Sequence, residues 1–189
     1  MNDLVLRPAI FLDRDGTLNR EKNYLIDPAD FTFIPGVPQA LKRLQDAGFL
    51  LVVVTNQSGV ARGYYPLAAV ENLHRYLQTQ LASLGVQISA FYVCPHYVGG
   101  QAPYNLNCSC RKPRPGLLLQ AAAELKLDLG RSFMIGDKLS DVQAGQAAGC
   151  RSLLVRSGHP LPPDAPFEVL ADLAAATEKI LDWEAFGAK

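Results

Sequence analysis

Residues Ile10-Phe11-Leu12-Asp13-Arg14-Asp15-Gly16-Thr17-Leu18 join a short apolar run to two carboxylates spaced i, i+2, then a Gly and a Thr. The apolar residues read as the end of a buried strand. Side chains alternate along a strand, so if the extended geometry continues through Arg14, Asp13 and Asp15 point the same way. Two carboxylates so placed repel each other unless a cation or a shared proton lies between them. A solvated Asp-rich turn is the competing reading of this stretch alone. The later strand ends separate the two. Thr55-Asn56-Gln57-Ser58-Gly59, the loop opening at Cys94 and Gly136-Asp137 each put groups suited to phosphate or metal where a strand finishes. Random polar turns do not produce that bias.

Asp13, Asp15 and Asp137 suit a hard cation, because Mg2+ prefers carboxylate and carbonyl oxygens and keeps waters that a phosphate can replace. The Thr55 hydroxyl and the Asn56 amide can hold phosphoryl oxygens. Arg111-Lys112-Pro113 sets two cations just ahead of a helix, and a solvated basic face is the alternative. Cys94-x-His96 and Cys108-x-Cys110 together offer three thiols and an imidazole. That is a complete tetrahedral Zn2+ set with no open position, hence structural, and cytosolic redox places it ahead of a disulfide or free buried thiols. Cys110 directly precedes Arg111 and Lys112, so a metal there would fix where those cations point. Asp141, a helical turn past Asp137, reads as a capping or supporting residue, Cys150 as a small buried one and His74 as a surface residue.

Strands are expected at Ala9–Leu12, Phe49–Val54, Ile88–Val93, Ser132–Ile135, Arg151–Val155 and, at an edge, Phe167–Leu170. Helices are expected at Gly36–Gly48, Pro66–Leu84, Pro115–Leu125, Leu139–Ala148 and Asp172–Trp183. Residues Asn19–Pro35 read as a long connection, and Val60–Gly63 and Gly158–Pro163 as loops. Alternating strands and helices imply an α/β fold, a Rossmann-like parallel sheet with helices on both faces and ligands at the C-terminal strand ends. At 189 residues, a single domain over 1–189 is expected, with a zinc loop at 94–110 and no segment long enough for a large cap. The 18 cations and 18 anions cancel, which argues against a nucleic-acid partner or an anionic membrane surface. The N-terminus reads as carrying no signal peptide, the longest apolar run is too short to span a bilayer, and a cytoplasmic monomer is expected.

DRDGTLN at Asp13, TNQSG at Thr55, CRKPRPG at Cys110 and GDKLSD at Gly136 resemble the four ordered motifs of the haloacid dehalogenase superfamily. Within it the chain is similar to the small heptose-bisphosphate and histidinol-phosphate phosphatases, over nearly its whole length. The resemblance implies that Asp13 is the nucleophile and that Asp15 protonates the leaving oxygen and then activates water. It also implies that Thr55 and Lys112 grip phosphoryl oxygens. Mg2+ would be held by Asp13, Asp137 and the Asp15 carbonyl, and a structural Zn2+ by Cys94, His96, Cys108 and Cys110. TNQSGVARG and CRKPRPG resemble the heptose branch more closely. By that likeness Glu21, Lys22, Asn23, Tyr24, Asn56, Gln57, Ser58, Arg111 and Lys138 contact a phosphorylated sugar. Arg62, in the loop after Asn56, is placed either as a further cation near the mouth or facing solvent. The alternatives are a histidinol-phosphate phosphatase, a phosphotransferase sharing the nucleophile, and a zinc-stabilised binding module without catalysis.

Overall fold

A computed structural model of the chain describes residues 6–160 and 167–187. The extreme N-terminus and the end of the expected Gly158–Pro163 loop lie outside the described residues. Strands β1 (Ala9–Leu12), β2 (Leu50–Asn56), β3 (Ala90–Cys94), β4 (Phe133–Gly136), β5 (Arg151–Val155) and β6 (Val169–Leu170) form one sheet in the order β3-β2-β1-β4-β5-β6. Every neighbouring pair is parallel. Parallel neighbours need crossovers. Helices α1 (Val37–Asp46), α2 (Ser58–Ala61), α3 (Leu67–Ala82), α4 (Gly116–Leu125) and α5 (Leu139–Ala148) lie in those leading up to β5, and α6 (Leu173–Gly187) follows β6.

The period of two along β1 divides the core. Ile10 and Leu12 join Leu51, Val53 and Ile135 on the face covered by Leu41 and Leu44 of α1, Leu77 and Leu81 of α3, and Leu173 and Ile180 of α6. Ala9 and Phe11 join Val52, Val54 and Met134 on the other, beneath Leu117 and Leu118 of α4 and Ala144 of α5. With both faces covered, β1 consists only of apolar residues, all fully buried. Cys150 lies in the second face as a buried small residue. Among the described residues no helix is long and apolar enough to cross a membrane.

Three elements differ from expectation for tertiary reasons. β2 runs on through Thr55 and Asn56 because β3 pairs them with Val93 and Cys94. β3 starts only at Ala90, since the Ile88 amide donates to the Gln78 side chain. Ser58–Ala61, expected as loop, closes into one helical turn through the Arg62 amide bonding to the Ser58 carbonyl, with Val60 and Ala61 buried.

Strand order reverses at β1, which has β2 on one side and β4 on the other. Connections leave in opposite directions there and open a crevice at the carboxyl ends. The Asp13 amide donates to the Ile135 carbonyl at 2.9 Å, holding the chain beside β4 just past β1. Both aspartates therefore enter the crevice from its centre.

Candidate active site

A cleft of 460 Å³ opens at those strand ends. Asp13 and Asp15 reach it from β1, Thr55, Asn56, Gln57 and Ser58 from β2 and its turn, and Arg111 and Lys112 from the cysteine loop. Glu21, Asn23, Tyr24 and Lys138 line it as well. Lys22 does not; its ammonium pairs with Asp30 on the surface at 3.1 Å. Arg62 is also outside the lining and lies over the Tyr97 ring at 4.1 Å.

The centre is a buried cation. Lys112 Nζ lies 2.7 Å from Asp13 Oδ1, from Asp141 Oδ1 and from the Val54 carbonyl, so all three of its protons have acceptors. Burial alone would favour the neutral amine, but the charges of Asp13 and Asp141 outweigh it and hold Lys112 protonated. Its backbone is fixed too. The Asn56 side chain donates to the Lys112 carbonyl at 3.1 Å and accepts from its amide at 3.2 Å. Asn56, expected on phosphate, thus orients the lysine. Asp141 also caps α5 by accepting from the Lys138 amide at 3.0 Å. Its close approach to β4 requires Gly136, where a Cβ would sit 2.3 Å from the Cβ of Asp141.

Asp137 is fully buried, its carboxylate within 4.8 Å of those of Asp13 and Asp141. Its Oδ2 meets His159 Nδ1 at 2.5 Å, and its Oδ1 has no partner. Burial and the neighbouring Asp13 charge push its pKa up to about 6, against the His159 hydrogen bond. Three carboxylates gathered around one ammonium leave an excess of negative charge, and one of their oxygens, Asp137 Oδ1, is buried without a partner. That donor set fits a divalent hard cation.

Asp15 has the opposite surroundings. Arg14, the residue between the two aspartates, is fully buried and sends Nε and Nη2 to its two oxygens at 3.1 and 2.7 Å. Asn19 and Gln57 donate at 3.0 and 2.9 Å. Burial raises its pKa, but the Arg14 charge and these four hydrogen bonds win, and the carboxyl is held below the usual range. Gln57 also donates to Thr55 Oγ1 at 2.9 Å and accepts from the Tyr65 hydroxyl at 3.0 Å.

In the cysteine loop the sulfurs of Cys94, Cys108 and Cys110 are 3.1 to 3.6 Å apart, with His96 Nδ1 3.2 Å from Cys110 and 3.8 Å from Cys94. A disulfide needs about 2.05 Å between sulfurs. Ligands about 2.3 Å from a tetrahedral zinc lie roughly 3.8 Å apart. The cluster is therefore compatible with zinc. Arg111 is tied to this loop through a 3.2 Å bond to the His96 carbonyl.

Known proteins resemble this chain in sequence and in fold. A family described as "HAD-hyrolase-like" matches residues 109–176. The D-glycero-beta-D-manno-heptose-1,7-bisphosphate 7-phosphatase of Pasteurella multocida (strain Pm70) is 44% identical over 175 residues, 89% of this chain and 95% of the relative. The enzyme of the same name from Escherichia coli (strain K12) is 44% identical over 180 residues, 91% and 94% of the two chains. The chain belongs to the haloacid dehalogenase superfamily. A solved superfamily structure, D,D-heptose 1.7-bisphosphate phosphatase from B. bronchiseptica complexed with magnesium and phosphate, matches with a TM-score of 0.79 at 35% identity, covering 93% of this chain and 98% of that one.

Within this superfamily fold, Tyr65, Ser140 and His159 of the cleft lining, and His74 behind it, escaped the sequence reading. His159 lies early in the connection after β5, a strand end not counted among those carrying chemistry. Tyr65 gives no local signal. His74, read as a surface residue, is 5% exposed and stacks on Phe91 with ring centroids 4.6 Å apart. The signal was present, since Val70, His74, Leu77 and Leu81 share the buried stripe of α3.

Burial, with a smaller contribution from Arg14, pushes the His74 pKa down from 6.5 to about 3. The unfolded chain therefore binds a proton that the fold refuses between those pH values. The stabilisation is complete above 6.5 and is lost as pH falls towards 3. Between pH 7 and pH 5 this one group should cost up to about 2 kcal/mol. Urea unfolding of wild type and His74→Gln at both pH values checks it: the difference between the two proteins should shift towards the variant at pH 5. Parallel curves would contradict it.

Proposed function

We propose that this chain is a Mg2+-dependent phosphomonoesterase that removes the 7-phosphate of D-glycero-D-manno-heptose 1,7-bisphosphate through an aspartyl-phosphate. The observation that carries the reading is the pairing of Asp13 with the buried Lys112 beside the unpartnered oxygen of Asp137. Asp13 attacks phosphorus in line, forming its Oδ–P bond as the bond to the sugar oxygen breaks. Splitting one displacement into two in this way lowers the barrier of each. Asp15 passes a proton to the departing oxygen. It rests ionised, so it must first take a proton from solvent or from a monoprotonated substrate, and a phosphate arriving beside it shifts its pKa in that direction. In the second half Asp15 takes a proton from water, which attacks phosphorus and frees Asp13.

Asp13, Asp137 and the Asp15 carbonyl are the proposed holders of Mg2+. When bound, Mg2+ supplies positive charge against the transferring phosphoryl group. Lys112 has no free proton at rest, so its contribution is charge and the aim of Asp13; a phosphoryl oxygen contacts it only by displacing an acceptor. The Thr55 hydroxyl already accepts from Gln57, which leaves its proton to donate to phosphate.

Two features support the bisphosphate over histidinol phosphate. Relatives covering nine-tenths of the chain carry the heptose name. The cleft also presents Arg111 beside Lys112, which suits a second phosphate better than an ammonium. Glu21, Asn23, Tyr24, Gln57, Ser58 and Lys138 are the proposed sugar contacts. Zn2+ on Cys94, His96, Cys108 and Cys110 holds the loop that carries Arg111 and Lys112. A monomer in the cytoplasm is part of this reading, and a reducing compartment suits the free thiols.

Assays of both substrates with Mg2+ test the assignment: the heptose 1,7-bisphosphate should show the higher kcat/KM, and faster turnover of histidinol phosphate would overturn it. Asp13→Asn should lower turnover by about a thousandfold or more with the fold and zinc content intact. Appreciable phosphate release from the folded variant would remove the nucleophile. Cys108→Ser should lose zinc, measured by elemental analysis, together with activity. Zinc loss with unchanged Mg2+-dependent turnover would show that the loop does not position Arg111 and Lys112.

A further inference from the structure

Arg14 is the largest fully buried side chain, and the cleft chemistry leaves one of its contacts unexplained. Four of its five N–H groups have partners. Nε and Nη2 hold the two oxygens of Asp15, Nη2 also reaches the Leu25 carbonyl at 3.2 Å, and Nη1 meets His74 Nε2 at 3.3 Å. Asp15 is the one carboxylate in ion-pair contact with this guanidinium among the described residues. The fork is planar, so where Nη1 is held sets the plane in which Nε and Nη2 present themselves to Asp15. Leu25 belongs to a long loop, whereas His74 belongs to the sixteen-residue helix α3 and is clamped face to face on Phe91 of β3.

We infer that His74 is a positioning residue for proton transfer, fixing the Arg14 fork so that Asp15 is aimed at the leaving oxygen. The inference rests on the proposed acid–base role of Asp15. A hydrogen bond from Nη1 requires a lone pair on Nε2, hence a neutral ring with its proton on Nδ1. Burial keeps the ring neutral, as its lowered pKa records. Without an acceptor at position 74, Nη1 is buried and unpaired, and the guanidinium turns towards other partners. Asp15 then keeps its counter-charge but loses its direction. Small misplacements of an acid cost rate most where the leaving group most needs its proton.

The test compares kcat/KM, which reports steps up to leaving-group departure, for an alkyl sugar phosphate and for 4-nitrophenyl phosphate, whose leaving group needs little protonation. His74→Leu should lower kcat/KM for the sugar phosphate by about tenfold and for the aryl phosphate by less than about twofold. His74→Gln, which keeps an acceptor, should restore the sugar phosphate to within about threefold of wild type. Equal losses on both substrates, no loss, or a Gln variant as impaired as Leu would overturn the inference. Asp15→Asn separates it from the reading beneath: if that variant too lacks the alkyl-over-aryl loss, the acid role itself is wrong. If His74→Leu does not fold, ¹⁵N NMR of wild type at pH 7 still decides. The inference requires an unprotonated Nε2 on a neutral His74 ring, and a protonated Nε2 rules it out.

Discussion

Almost everything at the cleft follows from burying one ammonium. Lys112 is 3% exposed, and a charge so deep is tolerable only when paired and fully hydrogen-bonded. Asp13, Asp141 and the Val54 carbonyl meet that need. Each acceptor then ties a separate element to the lysine: β1 through Asp13, β2 through Val54, α5 through Asp141. Asn56 clasps the lysine backbone from the end of β2, and Gly136 is small so that Asp141 can come close. The cysteine cluster sits directly before Arg111, so a metal in it would anchor the loop that delivers the lysine. In this arrangement the direction of Asp13, the proposed nucleophile, depends on contacts far apart in sequence.

The two aspartates that flank Arg14, together with Asp137, show how environment assigns roles to one side chain type. Asp15 collects four hydrogen bonds, two of them from the Arg14 guanidinium, which stabilise its anion. Asp137 is buried among like charges with an oxygen unpaired, so its anion lacks compensation and its pKa climbs to about 6. The first is held as an anion beside the proposed leaving oxygen, and the second has the surroundings that the proposed cation would relieve. Carboxylates whose surroundings push them apart in this way are the usual mark of divided labour in a site.

Much of this was legible in the sequence because it is local. Strand ends, the spacing of Asp13 and Asp15, and the Cys-x-His and Cys-x-Cys pairs are read within a few residues. What escaped is long-range. Arg14 lies inside the best-read motif, yet its partner His74 is sixty positions away, on a stripe whose burial depended on where α3 would dock. Asn56 offered an amide suited to phosphate, and only the fold shows that amide on the Lys112 backbone. Lys22 and Arg62 looked like cleft cations, but Asp30 and Tyr97 engage them elsewhere. Polar side chains choose among several acceptors, and tertiary geometry decides which is in reach.

The central claim is that Asp13, aimed by Lys112, becomes covalently phosphorylated. Asp15→Asn with 4-nitrophenyl phosphate and Mg2+ tests it most directly, because that leaving group departs without an acid while the later attack by water lacks its base. Rapid acid quench followed by peptide mass spectrometry should find a hydroxylamine-sensitive phosphoryl group on Asp13, in step with a burst of 4-nitrophenol. A burst with no phosphate on the protein, or with phosphate on another residue, would contradict the account.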